Sequence, residues 1–86
     1  MVKVLKFSAA WCGPCKMLSP VFDQIKKEIS GVNYIDIDVD TQPELVQAYS
    51  VTGVPLVVIE KDGIVTDSIR GANPKSVYTS AIQKLL

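Results

Sequence analysis

The chain has 86 residues, nine basic and nine acidic side chains, no histidine, and a hydrophobic share of 48%. That length fits one domain, 1–86, and the zero net charge argues against nucleic acid as a main partner, because phosphate binding needs a basic excess. The missing imidazole removes the commonest general base and a common metal ligand, and no apolar run approaches the ~20 residues of a membrane span. So high an apolar share in so short a chain predicts a central sheet covered on both faces. The N-terminal MVKVLKFS alternates in polarity and lacks the apolar core of a secretory signal, so we expect a cytoplasmic protein. In that compartment a cysteine pair is more often catalytic or metal-binding than structural.

Residues 2–8, VKVLKFS, are short and β-rich and predict a buried strand. The only two cysteines, Cys12 and Cys15, follow at once in FSAAWCGPCKM. From Pro14 to Ser30, Met17, Leu18, Val21, Phe22, Ile25 and Ile29 place an apolar stripe on one helix face. Pro20 predicts a kink in that helix and Gly31 its end. In VNYIDIDVD, Ile35, Ile37 and Val39 alternate with Asp36, Asp38 and Asp40, which predicts a second strand. Thr41 and Glu44 have capping-box spacing, with Pro43 in the first turn of a short helix that carries Leu45, Val46 and Tyr49. VPLVVIE predicts a third strand, KDGI a hairpin turn, and IVTDSIR a fourth strand pairing back. Asn73 and Pro74 read as N-cap and first residue of a last helix, whose stripe is Val77, Tyr78, Ala81, Ile82, Leu85 and Leu86. The order is β-α-β-α-β-β-α. Its first half is a right-handed unit of parallel strands. The cysteines then fall at the C-terminal end of the first strand, the edge where open α/β sheets place their chemistry.

Three readings of the cysteine pair compete. A structural zinc wants four ligands, and this chain offers two thiolates, so Asp36, Asp38, Asp40 or a second chain would have to complete the set. A structural disulfide would close a loop of only two residues and remove little entropy from the unfolded chain. A redox pair suits the position best. Cys12 stands just before a helix, beside unpaired backbone N–H groups and the positive end of the dipole, and both favour the thiolate that attacks disulfides. Pro14 lacks an N–H and fixes the turn. Cys15 lies about one turn on, facing back and better shielded. Cys12 is therefore expected to attack and Cys15 to resolve.

WCGPCKM followed by LSPVFDQI, then TGVP, KDG and RGA, resembles the thioredoxin family, the standard example of Cys-X-X-Cys chemistry. Five signatures occur in the family's order over nearly the whole chain, although the strand and helix that usually precede the first strand are lacking. The resemblance implies a thioredoxin-like α/β fold, with a four-stranded mixed sheet in the order second, first, third, fourth strand and helices on both faces. It implies dithiol–disulfide exchange on protein substrates, a flavin- and NADPH-dependent thioredoxin reductase as electron donor, no bound cofactor or metal, and a monomer. By the same resemblance Trp11 covers the site, Gly13 and Pro14 lie at the substrate surface, and Val54 with a cis Pro55 faces the cysteines. Gly71 and Ala72 form the far wall. Blander roles stand beside these: Pro55 as an ordinary trans proline, Trp11 as packing, Gly71 as a turn residue. Tyr49, Tyr78 and the methionines read as core.

Two departures from the family's pattern matter. Ser8 replaces an aromatic residue, and Lys6 stands where the family has a buried acid. The family's partner lysine falls at Asp36, so acid and base have exchanged places. We expect a partly buried pair that tunes the thiols; the bland reading is a Lys6 that snorkels to solvent and a surface Asp36. Other functions remain open: a glutaredoxin-like glutathione-dependent reductase, an oxidase or isomerase, or a non-catalytic binding module. Against the first stand the Gly-Pro between the cysteines, Trp11 before them, and the lack of a glutathione-carboxylate motif.

Overall fold

The computed structural model describes residues 1–86 as β1 (Val2–Ser8), α1 (Gly13–Glu28), β2 (Val32–Asp38), α2 (Pro43–Ala48), β3 (Leu56–Lys61), β4 (Ile64–Arg70) and α3 (Lys75–Gln83). The strands form one sheet in the order β2-β1-β3-β4. β1 and β2 are parallel, joined by the α1 crossover, and the other pairs are antiparallel. Asp62 and Gly63 between β3 and β4 both take left-handed backbone angles, φ 54° and 85°. A two-residue hairpin turn that matches the sheet twist requires this.

The sheet is covered on both faces because β1 and β3 are apolar on both. Val2, Val4, Val57 and Ile59 pack with Leu18, Phe22 and Ile25 of α1 and with Tyr78, Ala81 and Ile82 of α3. Leu5, Phe7, Leu56 and Val58 turn the other way and meet Ile37, Leu45, Tyr49 and Val51. Phe22 and Tyr78 meet edge-on with ring centroids 5.1 Å apart, a favourable arrangement for the ring quadrupoles. The Tyr78 hydroxyl donates to the Gly71 carbonyl at 2.9 Å and so ties α3 to the end of β4.

The helix starts differ from expectation. Thr41 does not cap α2: its hydroxyl donates to the Asp38 carbonyl at 3.3 Å, and Gln42 holds the cap position without a side-chain bond. Asn73 likewise turns away from α3. Its amide donates back to the carbonyls of Arg70 and Gly71, and the helix begins after Pro74. In both places a short polar side chain found a nearer backbone partner in the preceding turn. The methionines are not core, since Met1 and Met17 are exposed. On α1 the buried set is Cys15, Leu18, Phe22 and Ile25, a three-four spacing that leaves Met17 to one side. Val77 and Leu86 are exposed too.

One buried acid sits on the α2 face. Glu60 accepts a hydrogen bond of 2.5 Å from the Tyr49 hydroxyl. That bond, with partial burial, pushes the Tyr49 hydroxyl above its ordinary range. Tyr49→Phe leaves the carboxylate without this donor and should cost about 1–2 kcal/mol, the range for a buried polar group that loses its partner. The urea midpoint should fall with an unchanged slope; an unmoved midpoint would show that water replaces the hydroxyl at no cost.

Candidate redox site

The site is built where β1 ends. After Ser8 the chain turns, with the Cys12 N–H bonded to the Ala9 carbonyl at 3.1 Å. Cys12 then takes the N-cap of α1 in extended conformation, and its sulfur accepts the Cys15 N–H at 3.2 Å. Pro14 occupies the first turn, where its missing N–H leaves no bond unmade. Three residues apart at a helix start, the two side chains face one another. They are joined as a disulfide with the Cα atoms 5.3 Å apart. Both cysteines are 4% exposed, so shielding does not separate them as the sequence suggested. What separates them is position, since only Cys12 caps the helix. No three Cys, Asp or Glu side chains converge in a geometry that could hold a metal ion.

Trp11, next to Cys12 in sequence, is 69% exposed and does not belong to the core. Its indole N–H donates to Asp40 Oδ2 at 2.9 Å. With Val39, Val46, Val51, Thr52, Gly53 and Val54 it lines a cleft of about 250 Å³. Asp40 is a site residue that strand alternation concealed. β2 ends at Asp38, whose carboxylate accepts the Asp40 N–H and turns the chain. Asp40 therefore leaves the strand face that its spacing from Asp36 and Asp38 suggested.

The Val54–Pro55 bond is cis. Val54 packs against the cluster of Ala9, Cys12 and Cys15, and the Pro55 carbonyl accepts the Gly71 N–H at 3.0 Å. Gly71 has φ +79°, a conformation that favours glycine. Gly13 and Pro14 are exposed beside the sulfurs, and Ala72 is exposed just beyond Gly71. Trp11, the cysteines, Val54 and Pro55 are thus brought to one end of the sheet. Gly71 joins them through Pro55. Ala72 follows Gly71 in the chain.

Lys6 and Asp36 face each other in register across β1 and β2. Lys6 is on the α1 face and only 8% exposed, so it does not snorkel. Its ammonium lies 3.4 Å from Asp36 Oδ1, 3.5 Å from the Ser19 hydroxyl and 5.5 Å from the Phe22 ring centre. Ser19 in turn donates to the Cys15 carbonyl at 3.3 Å. A buried cation therefore touches the helix that carries the dithiol, one turn beyond Cys15. Asp36 is less secluded, with 57% of its side chain exposed, and it is shared with Lys26 at 3.2 Å. Burial alone would raise its carboxyl, but the Lys26 hydrogen bond and the charges of Lys6 and Lys26 outweigh this and hold it below the ordinary range. A depressed carboxyl contributes stability that is present above its unfolded value and lost as pH falls through the folded one. Wild type should therefore lose slightly more stability than Asp36→Asn between pH 7 and pH 3. The difference should stay within about 1 kcal/mol, because water screens a half-exposed acid. Equal acid losses in urea titrations would show that the carboxylate gains nothing from its two lysines.

A mixed four-stranded sheet with a dithiol at a helix start, beside a cis-prolyl loop, defines the class of α/β domains that carry a reversible disulfide. The chain belongs to the thioredoxin family, whose profile, Thioredoxin, matches residues 1–84. It is 40% identical over 82 residues to chloroplastic thioredoxin M3 of Oryza sativa subsp. japonica, covering 94% of this chain and 47% of the relative. It is 35% identical over 86 residues to a thioredoxin of Staphylococcus saprophyticus, covering 99% of this chain and 83% of the relative. The crystal structure of Fasciola hepatica thioredoxin superposes with a TM-score of 0.92 at 36% identity, over 99% of this chain and 81% of that one. The chain spans about half the length of the chloroplastic relatives it matches.

Proposed function

We propose that the protein is a thiol–disulfide oxidoreductase that reduces disulfides in other proteins. The observation that carries this is the Cys15 N–H aimed at the Cys12 sulfur at the start of α1. When the pair is reduced, the same N–H and the helix dipole stabilise a thiolate on Cys12. That thiolate attacks one sulfur of the substrate disulfide. A Cys12–substrate disulfide forms, and the other substrate sulfur leaves as a thiolate and takes a proton. Cys15 then loses its proton and attacks the Cys12 sulfur. The Cys12–Cys15 disulfide forms, and the second substrate thiol is released. Two electrons have passed to the substrate, and a flavin- and NADPH-dependent thioredoxin reductase returns two to the pair.

In this reading Trp11, Gly13, Pro14, Val54, Pro55, Gly71 and Ala72 form the surface that receives the substrate chain. The protein works as a monomer, since its own residues complete the site. We place it in the cytoplasm. No helix is long and apolar enough to cross a membrane, and bacterial relatives stand beside chloroplastic ones. Insulin reduction tests the proposal, run once with NADPH and thioredoxin reductase and once with glutathione and its reductase. Turnover is expected with the first system. Turnover with glutathione alone would favour the glutaredoxin-like alternative, and none with either would favour a binding module.

A further inference from the structure

We propose that Arg70 selects protein substrates that carry an acidic side chain next to the disulfide; this rests on the reductase reading above. Arg70 is the only arginine among the nine basic residues. It ends β4 immediately before Gly71, and the β3–β4 register sets it opposite Leu56, the residue after Pro55. Its side chain reaches across to the loop that precedes Pro55, where Nη1 donates to the Thr52 hydroxyl at 3.0 Å. Thr52 is itself a wall residue of the cleft, together with Trp11 and Val54.

The guanidinium has no charged partner. The chain's ion pairs use the N-terminus, Lys6, Lys26, Lys75 and Lys84. One N–H of Arg70 holds Thr52, and the remaining donors of the planar fork face no acid of this protein. That fork matches a carboxylate with two parallel bonds, which an ammonium cannot do. The other charge bound to the cleft wall is Asp40, whose carboxylate is already engaged by the Trp11 indole. A substrate segment entering the cleft meets apolar side chains from Val39, Val46, Val51 and Val54, and one cation with donors to spare. An acidic residue beside the substrate cysteine satisfies those donors, and a basic one is repelled. The Thr52 bond holds the guanidinium in place, so less side-chain freedom is lost on binding.

The test uses reduced protein in single-turnover reactions with three peptide disulfides that differ only in a Glu, Gln or Lys beside the cysteine. Oxidised glutathione is the fourth substrate. The readout is the ratio of rates between peptides, so a general change in rate cancels. Wild type should reduce the Glu peptide about three- to fivefold faster than the Gln peptide, the factor an exposed ion pair supplies, and the Lys peptide more slowly than either. Arg70→Gln should flatten the series, Arg70→Glu should invert it, and high salt should compress it. Equal ratios in wild type and Arg70→Glu overturn the role of Arg70 and leave the reductase reading standing. If wild type reduces none of the peptides, both readings are overturned. Dependence on Arg70 seen only with oxidised glutathione overturns selection of acidic proteins and assigns the guanidinium to a carboxylate of that tripeptide.

Discussion

Cys15→Ser protein, reduced and mixed with a disulfide substrate, should stop halfway and hold the substrate covalently on Cys12. Cys12→Ser should form no adduct, and neither variant should turn over. The argument is local. The sulfur at the N-cap accepts a backbone N–H from the first turn of α1, and such a bond is stronger to a thiolate than to a thiol. Cys15 lies inside the helix and has no cap position of its own. Its advantage is proximity: three residues away and joined to Cys12 in the disulfide, it should cleave the mixed disulfide as an intramolecular reaction. Intact mass spectrometry after acid quenching reads the adduct directly. An adduct on Cys15 in the Cys12→Ser protein, and none in its counterpart, would reverse the assignment.

The second large effect lies behind the helix. Lys6→Asp places an acid in register with Asp36 and removes the buried cation, leaving Lys26 as the one lysine paired with Asp36. The loss should be about 3 kcal/mol, the low end for a broken buried pair, because Asp36 is half in water. The double exchange, Lys6→Asp with Asp36→Lys, should recover most of it. Contacting charges couple in this way and distant ones do not. The dithiol should register the same field. A nearby cation favours thiolates, so Lys6→Met should shift thiolate absorbance to higher pH, and Asp36→Asn to lower pH. A better stabilised thiolate makes the reduced form more stable and the protein more oxidising. If the stability losses of the two exchanges simply add and thiolate absorbance does not move, Lys6 is a structural cation with no part in tuning.

Much of this was legible in the sequence. β2 announced itself by alternation, β1 and β3 by short β-rich stretches, and the Asp-Gly turn placed β4 as the strand that pairs back. Lys6 and Asp36 were legible only through the resemblance, because they fall where the family has its acid and its lysine; the register of β1 on β2 then sets them opposite each other. The caps at Thr41 and Asn73 misled because a polar side chain at a helix start has two backbone partners within reach, and only the folded turn decides between them. Met17 misled because an apolar residue next to a stripe looks like part of it. Equal seclusion of the two cysteines depends on Ala9, Val39 and Val54 closing over them from three segments. Asp40 on the Trp11 indole and Arg70 on Thr52 are contacts across 29 and 18 residues. Short-range patterns carry no trace of such contacts.

The chain holds a single tryptophan, Trp11, adjacent in sequence to the disulfide and largely in water. Every quantum of indole emission therefore originates next to the cysteine pair. A disulfide can quench a neighbouring excited indole, and reduction to the dithiol removes the quencher, so brightness should rise on reduction with no attached dye. On the proposed reading, a substrate segment that fills the cleft should dry the same ring and move its emission toward the blue. Intensity and wavelength then become two separable channels in one stopped-flow trace. Electron transfer is read in the first and occupancy in the second.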